Sequence, residues 1–179
     1  MARKLYVIRH GQTQWNLENR VCGRADIPLD ERGIAQARAA AEQLRGIRMD
    51  RVIASPLVRA QQTAALLLQE SGLNVPIETD ARLIEQDFGH NDGKNRRDAE
   101  FLAKREQMAW KQPDGESVFQ VVHRIYSLID EVRAQGDENV LFVCHGAVGR
   151  VIRSYFVDMT NEQFFGYLAG NCELVAYEL

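Results

Sequence analysis

Near the start of the chain an arginine and a histidine, Arg9 and His10, end the apolar run LYVIR, and Gly11 follows at once. A second histidine–glycine pair, His145 and Gly146, ends another apolar run, NVLFVC. Arg59 falls in the first predicted helical turn after a third run, RVIAS. Two arginines and two histidines brought to one place make a receptor for a compact dianion. Arginine presents a rigid fork of donors that matches phosphate oxygens. Histidine can donate to a phosphoryl oxygen, or attack phosphorus through a neutral ring nitrogen. Gly11 and Gly146 permit close backbone approach and a sharp turn. Gly146 also opens a predicted helix, whose N-terminus favours an anion. Asn16 and Gln12 add neutral donors.

Breaking a phosphate ester also needs an acid for the departing alkoxide. The best-placed carboxylate is Glu85, in the segment RLIEQDFG, read as following a strand end at Leu83-Ile84. Beside a phosphate its pKa is expected to rise through charge repulsion and desolvation. Asp87, two residues on, shares that face of an extended segment and competes for the role. His90 reads as a loop residue, His123 as a helix residue, and Trp15 and Trp110 as packing or loop anchors. The basic set Lys94, Arg96, Arg97, Lys104 and Arg105 is interleaved with Asp98, Glu100 and Glu106 and reads as a solvated helix face, with a bias of the pocket toward anionic substrates by Arg96 and Arg97 as the alternative. No metal and no cofactor are expected. The two histidines lack an HxH or HxxxH partner, and neighbouring arginines repel a cation. The sequence contains neither GxxxxGK[ST] nor GxSxG.

Strand-like and helix-like segments alternate along the chain and must position these groups. Strands are predicted at 5–10, 51–55, 75–80, 139–144 and 172–179. Asp30 caps a helix carrying Ile34, Ala37, Ala41 and Leu44. Ser55 and Pro56 are expected to cap and start a helix that ends at Gly72. Ser117 to Arg133 is strongly amphipathic, and Gly146 to Phe156 reads as a further helix. Residues 94–111 are polar, with Phe101, Leu102, Met108 and Ala109 as a thin apolar stripe, and read as a helical excursion outside the core. This alternation predicts an α/β three-layer sandwich with a mostly parallel central sheet flanked by helices. Ligands of such sheets bind beyond the carboxyl ends of the strands. Arg9 and His10, Arg59, and His145 all fall at such ends.

A length of 179 residues suits one domain, residues 1–179, with a small lid at about 90–113. The composition is 45% hydrophobic and 26% charged, with a net charge of −3 and no block of like charge, which argues against a nucleic-acid surface. No apolar run approaches about 18 residues, so no membrane span is expected. Cys22, Cys144 and Cys172 are widely spaced and odd in number, and read as reduced thiols in a cytoplasmic protein. Cys144 reads as a small core residue. The expected partner is a small phosphorylated metabolite. A homodimer is compatible with the composition.

The chain resembles the histidine phosphatase superfamily, in the branch of the cofactor-dependent phosphoglycerate mutases and their phosphatase relatives. The resemblance rests on RHGQT at 9–13 with Asn16, GRADIPLDERGIAQA at 23–37, SPLVRAQQTA at 55–64, LIEQDFG at 83–89, DGES at 114–117 and CHG at 144–146. It implies a phosphoglycerate mutase-like fold and a phosphohistidine mechanism. His10 would be the nucleophile and Glu85, rather than Asp87, the proton donor. Arg9, Arg59 and His145 would bind the phosphoryl group, with Asn16 and Gly146 assisting. The sequence departs from the mutase pattern at the short stretch between Gly89 and Asp114 and at Phe88, where mutases carry a tyrosine. HNDG at 90–93 also differs from the tryptophan-bearing segment of many phosphatases. The expected activity is therefore a phosphomonoesterase. A phosphoglycerate mutase and a non-catalytic phosphate-binding module are the alternatives.

Overall fold

A computed structural model describes residues 3–179. Within these residues five strands form one sheet: β1 (Lys4–Arg9), β2 (Arg51–Ala54), β3 (Ile77–Thr79), β4 (Asn139–Cys144) and β5 (Leu174–Glu178), in the order β3-β2-β4-β1-β5. β5 pairs antiparallel with β1 and the other pairings are parallel. Among the described residues seven α-helices accompany them: α1 (Gln14–Leu17), α2 (Glu31–Ala40), α3 (Val58–Ser71), α4 (Ala99–Arg105), α5 (Val118–Gln135), α6 (Gly146–Phe156) and α7 (Asn161–Gly166). Met1 and Ala2 lie outside the described residues. Among the described residues no helix is long and apolar enough to cross a membrane.

The predicted three-layer architecture is what the chain adopts. Successive strand residues face opposite sides of a sheet, and here both sides are covered. Leu5, Val7, Val140 and Phe142 pack against α5 and α6 through Ile125, Ile129, Val148 and Ile152. Tyr6, Ile8, Leu141 and Val143 pack against α2 and α3 through Ala37, Ala60, Ala64 and Leu67. That double burial is why β1 and β4 read as unbroken apolar runs. The connection leaving β1 passes through α2 on one face, and the one leaving β4 enters α6 on the other. The two strands are neighbours, so their carboxyl ends flank the crevice where such sheets bind ligands. In register, Arg9 pairs with Cys144 and Ala54 with Val143, which puts three strand ends level.

Several local expectations give way to packing. α3 begins at Val58 with Leu57 as its cap, and not at Pro56. Ser55 is drawn away to a histidine, and Asp26 from a separate loop accepts the Val58 N–H at 2.7 Å. Ile34 is 36% exposed and lies off the buried face of α2, which ends in a 3-10 turn at Ala41–Leu44. Leu83-Ile84 is no strand end. β3 stops at Thr79, a 3-10 turn follows at Ala81–Leu83, and Glu85 comes in extended loop. The 94–111 excursion contains one short helix, α4, capped by Asp98.

Candidate active site

Arg9 ends β1, and the His10 N–H donates to the Cys144 carbonyl at 3.0 Å, carrying the ladder one residue further. The His10 carbonyl accepts from Asn171 Nδ2 at 2.8 Å. The chain then turns at Gly11 hard against the backbone of Gly33, where a side chain on either glycine would collide. The Gly11 N–H is held by Thr63 Oγ1 at 3.1 Å. These contacts fix the backbone on both sides of the histidine.

The His10 ring is 3% exposed. Its Nδ1 lies 2.7 Å from the Gly11 carbonyl, an acceptor, so the proton sits on Nδ1. Nε2 keeps its lone pair and accepts from Arg59 Nε at 3.3 Å. Burial, then the charges of Arg59 and Arg9, hold the His10 pKa well below its ordinary 6.5. The imidazole is therefore neutral at neutral pH, the form a nucleophile requires.

Arg59 is fully buried, with Nη1 on the Ala25 carbonyl at 2.8 Å and Nη2 on the Gly23 carbonyl at 2.7 Å. His145 stands beside His10, ring centroids 5.2 Å apart. Its Nε2 is 2.6 Å from Ser55 Oγ, and its buried Nδ1 has no partner. Burial, followed by the charges of Arg59 and His10, depresses its pKa as well. Arg9 donates from Nη1 to the Ala169 carbonyl at 2.8 Å, while its Nε is buried and unpartnered. Burial and the neighbouring Arg96 push its pKa down to about 10, so it remains a cation.

Glu85 is 5% exposed. Its Oε2 accepts from the Ala147 N–H at 3.1 Å, and its Oε1 from Val148 at 3.3 Å and Gln86 at 2.8 Å. The N-terminus of α6, expected to favour a ligand anion, thus already holds this carboxyl and aims it. Asp87 turns elsewhere, onto Arg24 at 3.3 Å and the Gly89 N–H at 2.9 Å. Asn16 accepts the Thr13 N–H on Oδ1 at 3.2 Å, which leaves its amide N–H groups as the end that can serve an anion.

A cavity of about 240 Å³ opens on this edge, with Arg9, His10, Asn16, Glu85 and Gly146 in its wall. Arg59 and His145 adjoin the His10 ring, Arg59 at its Nε2, but are not among the residues of the cavity wall. Asp87 does not line it either. The cavity has three further arginines: Arg96 and Arg105 from the excursion and Arg150 from α6. Arg96 and Arg105 therefore do not lie on a solvated face, and Arg96 takes the alternative place at the pocket, while Arg97 does not line it. The excursion folds back over the site, with its backbone stitched to residues 19–21 through Arg96 N to Asn19 O, Gly93 N to Val21 O and Val21 N to Lys94 O. Arg105 lies four residues after the buried Phe101, on the same helix face, and that spacing was the available signal. Lys94 and Arg97 are exposed as expected, and Lys104 pairs with Glu100. Burial first, with Arg105 next, pushes Arg150 down to about 10. Four guanidinium groups around one carboxylate make a cavity that attracts anions.

The profile of the histidine phosphatase superfamily (branch 1) matches residues 5–179. A 2,3-bisphosphoglycerate-dependent phosphoglycerate mutase of Methylobacterium sp. (strain 4-46) is 38% identical, over 93% of this chain and 86% of its own length. The solved structure of a mycobacterial glucosyl-3-phosphoglycerate phosphatase superposes with a TM-score of 0.86 at 29% identity, covering 98% of this chain and 90% of that one. The α-ribazole phosphatase from Shigella flexneri superposes with a TM-score of 0.83 at 28% identity, covering 97% and 89%.

Proposed function

Since the chain belongs to the histidine phosphatase superfamily, branch 1, we propose that it is a phosphomonoesterase working through a phosphohistidine on His10. The observation that carries this reading is the state of that ring, which lines the cavity: Nδ1–H is tied to the Gly11 carbonyl, and Nε2 is left unprotonated, accepting from Arg59. Nε2 attacks phosphorus and the ester P–O bond breaks. Glu85 gives its proton to the leaving alkoxide. Water then attacks the phosphohistidine, with Glu85 taking up a proton as base, and inorganic phosphate departs. Once Nε2 is bonded to phosphorus, the Arg59 Nε–H that faced its lone pair turns to a phosphoryl oxygen. Arg9, the unpartnered His145 Nδ1, Asn16 and the Gly146 N–H complete the clamp. A hydroxyl donated by Ser55 to His145 Nε2 keeps the proton on Nδ1, where the phosphoryl group needs a donor.

Arg96, Arg105 and Arg150 favour a substrate with a second anionic group beyond the phosphoryl ester. Hydrolysis is favoured over isomerisation by the excursion, whose single helix α4 spans seven residues and buries Phe101 alone. So small an apolar surface seals water out poorly, and a mutase has to shield its phosphohistidine while the intermediate reorients. The phosphatase names of the two solved relatives support the same choice. A mutase is the second reading, favoured by the name of the Methylobacterium relative. A panel of phosphorylated metabolites, with 3-phosphoglycerate primed by 2,3-bisphosphoglycerate among them, decides the matter. Phosphate release from panel members with little 2-phosphoglycerate is expected. Fast isomerisation with little free phosphate would make the enzyme a mutase.

A further inference from the structure

Asp92 takes no part in the chemistry above, yet it stands in the turn that opens the 90–113 excursion with three backbone N–H groups on one carboxylate. Oδ1 accepts from Gly23 at 2.7 Å, and Oδ2 from Arg24 and from Ala25, both at 3.0 Å. The same short loop supplies, through the Gly23 and Ala25 carbonyls, the acceptors that hold both η nitrogens of Arg59. The remaining Arg59 nitrogen, Nε, is the one that faces His10 Nε2. We propose that Asp92 is a positioning residue: through the backbone of residues 23–25 it sets Arg59 against the nucleophilic nitrogen, and so ties the excursion to His10.

The surroundings are built for this. A Cβ on Gly23 would lie 2.6 Å from Asp92 Oδ1 and 2.8 Å from the Gln86 carbonyl, so only glycine lets the carboxylate reach the loop. The next loop residue, Asp26, accepts the N–H of Val58, the first residue of the helix that bears Arg59. The loop is thus fastened to the excursion on one side and to α3 on the other. Asparagine is no substitute for Asp92, because its amide nitrogen would face N–H donors and leave at least one unsatisfied.

The charged groups around His10 are Arg9 from β1, Arg59 from α3 and Arg96 from the excursion, with Glu85 also in the cavity wall, and the titratable but uncharged neighbour is His145 from the end of β4. Arg59 contributes the largest of the repulsions that keep His10 unprotonated. If it drifts, His10 protonates more readily and the acid limb of the rate moves to higher pH. A loop clamp with no bearing on the nucleophile has no such effect.

The proposal rests on His10 as nucleophile, and its test reads that step directly. Single-turnover formation of phosphohistidine is followed across pH in wild type, Asp92→Asn and Asp50→Asn. Asp50 is a matched control at the amino-terminal ends of β2 and β4, far from the strand ends that carry the site, its Oδ2 accepting the Glu138 and Asn139 N–H groups at 2.9 and 3.0 Å. Asp92→Asn is expected to slow the step about 10- to 100-fold, the cost of a misplacement of order 1 Å. KM should change little and the acid limb should rise. In an Arg59→Lys background the same change should add little, because the two residues act in series. Asp50→Asn should lose stability yet keep the wild-type rate and limb. Should Asp92→Asn not fold, Asp92→Glu takes its place in the same cycle. A wild-type rate and limb in the Asp92 variant, or a cost that simply adds to that of Arg59→Lys, would overturn the proposal. Absence of phosphohistidine in wild type is a different result: it would remove the assignment of His10, and the proposal with it.

Discussion

Glu85 is held by N–H groups of α6 on the cavity wall, and the proposed mechanism asks it to protonate a leaving oxygen. An aryl oxide leaves without that help and an alkoxide does not. Glu85→Gln should therefore cost alkyl phosphates about 10²–10⁴-fold in kcat and activated aryl phosphates far less, since that is the usual worth of general acid catalysis. Steady-state rates on one ester of each type measure it, and equal losses would move the acid elsewhere. At this scale the sequence was most legible where a reactive side chain ends an apolar run, as Arg9, His10 and His145 do. Glu85 was legible as one of two carboxylates, and only the folded chain shows Asp87 turned onto Arg24. Ser55 was legible only as a helix cap within a family segment, and Asn171 and Asp92 carried no signal of the roles they take. They act on a ring nitrogen, a carbonyl and a row of amides supplied by distant segments, and sequence spacing does not encode such meetings.

Among the elements, α5 and α4 show two kinds of attachment. α5 opens with a capping box between Ser117 and Gln120 and buries Ile125, Leu128, Ile129 and Val132 against the sheet. Ile129→Ala should cost about 2–5 kcal/mol of global stability through lost burial and a residual cavity, read as a lowered denaturant midpoint with an unchanged slope. α4 buries Phe101, which meets Phe88 edge-on at 5.6 Å, and little else. Phe101→Ala should leave the midpoint closer to wild type and raise KM for substrates with two anionic groups, because the helix carrying Arg105 is released locally. A midpoint shift as large as that of Ile129→Ala, with KM unmoved, would mean that α4 belongs to the core. The long periodic helices and the β-branched strands were readable because burial on one or both faces leaves a period in the sequence. α1 and α7 escaped because each is a few residues long, although Thr13 with Asn16 and Thr160 with Gln163 form capping boxes. The excursion's fold was hidden because backbone pairing with residues 19–21 sets it, and not its own thin stripe.

The molecule as a whole buries two uncharged histidines in a field of guanidinium groups, and this gives its stability a pH dependence. In the unfolded chain His10 and His145 take up protons below about pH 6.5. In the folded chain both resist protonation until well below that value. The unfolded state then binds more protons, so stability falls as pH drops from about 6.5 toward the depressed pKa values, by up to about 1.4 kcal/mol per unit for each histidine. Denaturant titrations on either side of that pH test the sign. A His10→Gln, His145→Gln double variant should show a shallower fall, and an equally steep one would place the dependence elsewhere. In the proposed mechanism the same cationic field recruits the dianion and a neutral imidazole attacks it. The central claim is that this attack leaves phosphate covalently on His10 before water removes it. Mixing enzyme with phosphoryl-labelled substrate, quenching in alkali within a turnover and mapping the label tests that most directly. The label is predicted on the peptide containing His10, vanishing as inorganic phosphate appears and absent in His10→Ala. Phosphate release with no labelled His10 at any time, or undiminished release by His10→Ala, would contradict it.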